Sequence, residues 1–145
     1  MTEIIQLSAG LIGSLCFGIL FNMRGKRLIA AAVGGLMSWG LFLILSHFVS
    51  NEPINYFIVA SVVSLYSEVM ARILKTPASP IVTTSLIPLI PGGSLYYTMA
   101  CAFESNFTLF LDKAVSTLKL ASALALGIIV VTALSQLLFR QRKAK

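Results

Sequence analysis

The chain is cut into segments by its charges. Ile4 to Met23, Leu28 to Asn51, Pro53 to Ser67, Thr76 to Phe103 and Leu120 to Phe139 contain no Asp, Glu, Lys or Arg. A helix needs about 20 residues to cross about 30 Å of hydrocarbon. Four of these stretches meet that length alone, and the third meets it by continuing through Glu68 to about Leu74, which carries an acid to membrane depth. Only 11% of the residues are charged and 57% are apolar, too few charges to clothe a water-soluble globule. The sequence therefore predicts an all-α, polytopic membrane protein in one domain, 1–145. Its five transmembrane helices are expected near 4–22, 28–49, 54–74, 80–103 and 119–139.

The net charge of +6 does not point to nucleic acid, because the basic residues sit in short connectors and not along one soluble face. Arg24, Lys26 and Arg27 follow span one, Arg72 and Lys75 end span three, and Arg140, Arg142, Lys143 and Lys145 form the tail. The positive-inside rule assigns these alternate connections to the cytoplasm, with the N-terminus outside and the C-terminus inside. The first apolar run has its charges after it and no small-residue cleavage site, so it is expected to stay as a helix and not to be removed as a signal peptide. Cys16 and Cys101 fall within spans without metal or redox spacing. No metal, cofactor, nucleotide loop or catalytic triad is indicated, and an enzyme is not expected.

Gly10, Ser14 and Gly18 recur at four-residue spacing in span one, and Ala30, Gly34 and Ser38 do the same in span two. Such faces let helix backbones approach closely in lipid. Packing within one bundle is the expected use, and a homo-oligomer face is the alternative.

Span three places Ser61, Ser64, Glu68, Arg72 and Lys75 along one helical stripe. That polar face should look at protein or water. Glu68 has two readings: an (i, i+4) partner of Arg72 near the interface, or a proton or substrate site, since an ionisable group in a span is costly to keep.

The fourth stretch holds Pro77, Pro80, Pro88 and Pro91, then Gly92, Gly93 and Ser94. Proline removes a backbone donor and clashes with the preceding turn, so the helix must break or kink near its middle, at Pro88 to Gly93, with a break at a substrate site as the reading and a packing kink as the alternative. At 1.5 Å per residue Pro91 lies about 22 Å from Thr76 and about 18 Å from Phe103, which is membrane depth. Open backbone there is tolerated only against protein or a watery cavity. The half-helix that restarts near Gly93 offers the amides of Gly92, Gly93 and Ser94 and a positive dipole end, a geometry suited to a carboxylate. Broken helices of this kind recur at transporter substrate sites. Tyr96 and Tyr97 follow, placed either to donate to a polar ligand or to join the aromatic belt.

From Asn106, a candidate N-cap, residues 106–118 alternate apolar and polar faces and read as an amphipathic lead-in at the outer surface. Span five offers Ala123 and Gly127 as a small-residue contact.

Phe21-Asn22 before a basic connector, Gly34-Gly35 in the next span, and above all Ile87-Pro88-Leu89-Ile90-Pro91-Gly92-Gly93-Ser94-Leu95-Tyr96 resemble the threonine/serine exporter (ThrE-type) family. The resemblance is to its small, C-terminal-half type of subunit and covers nearly the whole chain. It implies export of threonine and serine, or in some members a dicarboxylate such as succinate, across a bacterial plasma membrane together with a larger partner subunit. On this reading Pro88 and Pro91 keep the helix open, Gly92 to Ser94 hold a carboxylate, and Glu68 couples protons. The alternative is a scaffold subunit that stabilises a partner without binding substrate.

Overall fold

The computed structural model describes residues 2–103 and 107–140, and every element in them is helical. The helices are α1 (Thr2–Leu20), α2 (Lys26–Phe48), α3 (Glu52–Ile73), α4 (Ala78–Leu86), α5 (Gly92–Phe103) and α6 (Phe107–Arg140), with a 3-10 turn at Ile87–Leu89. α1, α2, α3 and α6 are long and apolar enough to span a membrane, and α4 with α5 makes a fifth crossing when taken as one broken span, bent by 59°. The polytopic all-α architecture expected from the charge spacing is the one the chain adopts. The break falls at Pro88 and Pro91, where two backbone donors are missing. Asn106 and the basic residues after Arg140 lie outside the described residues.

Two connectors meet at one end of the bundle. Asn22 and Lys75 take left-handed conformations, with φ of 56° and 51°. The Met23 amide donates to the Gly18 carbonyl and the Asn22 amide to that of Ile19, both at 2.9 Å. The Thr76 amide donates to Ala71 at 2.8 Å and the Lys75 amide to Arg72 at 3.2 Å. Both are Schellman motifs, which satisfy the last carbonyls of α1 and α3 and turn the chain sharply. Met23 and Ala71 then bury with Ala31 and Ile81 in one cluster, so both turns sit at the same level. Arg24, Lys26, Arg27, Arg72 and Lys75 all lie here, and we call it the basic end.

Small residues set the helix spacing. A Cβ on Gly35 would collide with the Ser14 side chain of α1, and one on Gly34 would collide with Ser85 of α4, so the adjacent glycines serve two different neighbours. Tyr66 Oη donates to the Ala30 carbonyl at 3.0 Å and Ser85 Oγ to that of Ala31 at 3.4 Å, tying α3 and α4 to α2. On α6, a Cβ at Gly127 would stand 2.8 Å from the Phe57 carbonyl oxygen and 2.9 Å from Ala60 Cβ. Around these contacts Tyr56, Val59, Val63, Leu86, Leu89 and Leu120 form the buried core.

α6 runs uninterrupted for 34 residues, about 51 Å. The stretch expected as a lead-in, 106–118, and the span expected at 119–139 therefore share one helix over the described residues. No glycine or proline falls between Phe107 and Leu126, so nothing breaks the ladder where the amphipathic pattern ends. α5 folds back along this first part, with Thr98 Oγ1 and Thr117 Oγ1 3.0 Å apart. α6 is the main packing partner of α5.

Candidate functional site

α4 and α6 both flank α3 without packing closely on each other, and a cavity of about 640 Å³ opens between them. α3 contributes Glu68, α4 contributes Ala78, Ser79, Val82, Thr83 and Leu86, and Ile90 stands at the break. α6 lines the opposite wall with Leu124, Ile128, Thr132 and Gln136, a four-residue spacing that puts one helical stripe along the groove. The lining is graded. Ser79 is in the first turn of α4, Glu68 is near the end of α3 and Gln136 near that of α6, so the polar groups gather at the basic end. Leu86, Ile90 and Leu124 make the deeper part apolar.

Glu68 Oε2 accepts from Arg72 Nη2 at 3.2 Å, and the acid is the more buried partner, with 15% of its side chain exposed against 35% for the arginine. Burying a lone carboxylate at this depth is costly, and the pairing one turn away offsets that cost. A carboxylate edged by hydroxyls and an amide suits a ligand with a cationic or hydrogen-bond-donating group.

A second cavity of about 250 Å³ lies on the other side of the break, lined by Gln6, Ala9, Gly10, Gly13, Trp39, Ile87 and Pro88. Gln6, Ala9, Gly10 and Trp39 are in the halves of α1 and α2 remote from the basic end, and Gly13 is just past the middle of α1. Trp39 Nε1 is buried with no partner among the described residues. Between the two cavities stands the 3-10 turn Ile87–Leu89, anchored by Leu89, which is fully buried. The break thus stands between the two cavities, with Ile87 and Pro88 on one and Leu86 and Ile90 on the other.

The structure divides the residues singled out in the sequence. Glu68 lines the groove, and Arg72 pairs with Glu68 without lining the groove itself. Ser61 Oγ donates to the Phe57 carbonyl at 2.8 Å, while Ser64 is buried; neither lines the groove. Pro88 faces the second cavity. Gly92 and Gly93 are exposed, and a Cβ on either would meet nothing within 4 Å. The Gly92 amide donates to the Ile90 carbonyl at 2.6 Å and that of Leu95 to Pro91 at 3.0 Å, which leaves Gly93 and Ser94 as first-turn donors of α5. Tyr96 and Tyr97 stack edge to face at 5.6 Å and are 70% and 63% exposed, away from both cavities. Ser79, Thr83, Thr132 and Gln136 were not anticipated. Their signal was (i, i+4) polar pairing inside otherwise apolar segments, Ser79 with Thr83 and Thr132 with Gln136. No cluster of potential metal ligands occurs among the described residues.

A family model described as "Threonine/Serine exporter, ThrE" matches residues 6–134. No curated protein and no solved structure gives a significant match.

Proposed function

The chain belongs to the threonine/serine exporter family, and from that premise we propose that it is one subunit of a secondary exporter of threonine and serine. In this reading it sits in a bacterial plasma membrane with the basic end in the cytoplasm, as the connector charges favour, and works with a larger partner chain. The observation that carries the proposal is the pair of cavities divided by the broken span. Alternating access needs a site that opens to one side at a time. The turn Ile87–Leu89 is the partition between the two openings, and α5 supplies the hinge-bearing half of the span. Substrate enters the groove from the basic end, Glu68 couples its movement to protons, and the first-turn amides of Gly93 and Ser94 receive the carboxylate as it passes Ile90.

The test is threonine efflux from preloaded cells that lack their own exporters and express this chain, alone and together with a larger family member. Efflux above the empty-vector rate in the paired cells is expected. Equal rates in all cells overturn the proposal.

A scaffold role is the second reading, favoured by the apolar face that α5 leaves open, where Leu95, Met99 and Phe103 are all more than half exposed. A cysteine at Ser94 whose labelling changes with threonine favours the transport reading over it.

A further inference from the structure

The polar end of the groove holds one acid and no other titratable lining group among the described residues. α4 gives it Ser79 and Thr83, and α6 gives it Thr132 and Gln136, none of which ionises near neutrality. Among the described residues Glu68 pairs with Arg72, on the same helix one turn nearer the basic end. We propose that this ion pair opens to receive the substrate: the Glu68 carboxylate takes the ligand's ammonium, and Arg72 takes its carboxylate. The inference rests on the transport reading above and assigns the binding chemistry within that groove.

Charge balance carries the argument. An α-amino acid is a zwitterion, so exchanging one internal pair for two external ones leaves the site as neutral as before, and each buried charge keeps an opposite partner. A dicarboxylate brings two negative charges to a groove that already contains one, with Arg72 as the cation at hand to meet them, and desolvation there goes uncompensated. The groove therefore selects for an amine-bearing substrate. The surrounding hydroxyls and the Gln136 amide have the short reach and mixed donor and acceptor character that a small hydroxylated side chain needs.

The experiment uses Thr83→Cys, and separately Ser79→Cys, in the full chain with Cys16→Ser and Cys101→Ala, in membranes of the cells used for efflux. The readout is the rate of maleimide labelling with threonine, 3-hydroxybutyrate, 1-amino-2-propanol or succinate present. Threonine is expected to slow labelling strongly, and 3-hydroxybutyrate and succinate to leave it unchanged. Glu68→Gln should weaken threonine protection about tenfold or more while Glu68→Asp retains part of it. Arg72→Gln should make threonine and 1-amino-2-propanol equivalent. Equal protection by threonine, 3-hydroxybutyrate and succinate overturns the ammonium assignment. Export of threonine without protection at either cysteine places the substrate elsewhere and also overturns it. Protection without export keeps this binding site and sinks the exporter proposal instead.

Discussion

Glu68 and Arg72 face each other across one turn of α3 with 3.2 Å between Oε2 and Nη2, and the acid is the partner that reaches the groove. Glu68→Gln removes the titratable group and keeps the shape. We expect this variant, at saturating internal threonine, to export down a concentration gradient but to lose its stimulation by an inward proton gradient. Efflux from preloaded vesicles with and without that gradient measures the difference. Undiminished stimulation in well-inserted protein removes the coupling role.

Gly93→Leu probes the start of α5. A Cβ there meets no neighbour within 4 Å, so insertion and thermal stability should match the parent, while the bulk covers the Gly93 and Ser94 amides. Threonine efflux is expected to fall at least about tenfold, the scale of losing one or two charge-assisted hydrogen bonds. Normal efflux discards the helix end as a carboxylate site.

Gly127→Val is expected to lower stability by about 1–3 kcal/mol, as overpacking does, because its Cβ would press on the Phe57 carbonyl oxygen at 2.8 Å. Gly13→Ala is the control: its Cβ meets nothing within 4 Å, and the helix gains up to about 1 kcal/mol from the lost backbone entropy of glycine. Unfolding in mild detergent by heat or denaturant separates the two.

Asn22→Val should cost about 1–2 kcal/mol, since φ of 56° is tolerated by asparagine and strained for a β-branched residue. Asn22→Gly should be close to neutral because glycine is the usual occupant of this Schellman position. The same unfolding measurement decides, and equal stability of the valine variant would mean the turn relaxes into another form.

The fold was legible because its strongest signals are local. Charges mark the connectors, and Pro88 with Pro91 cannot sit inside a helix, so span number and the broken helix follow from chemistry on adjacent residues. Asn22 was visible only as part of a motif; its reason, a left-handed cap, depends on a dihedral that no spacing reveals. The groove was half legible. Glu68 stands out because an acid in a span is costly, whereas Ser79, Thr83, Thr132 and Gln136 are ordinary residues until α4 and α6 face each other across α3. That pairing is long-range. The lead-in and the last span share one helix over the described residues: a change from amphipathic to apolar pattern marks a change of surroundings, and nothing in Phe107 to Leu126 interrupts the hydrogen-bond ladder.

The docking of α5 on α6 has a mechanical corollary. Thr98 and Thr117 clasp the restarted half of the broken span to the same rod that farther along presents Leu124, Ile128, Thr132 and Gln136 to the groove. A tilt of α5 at its 59° bend would therefore be felt, through that threonine clasp, by the helix that forms the groove wall.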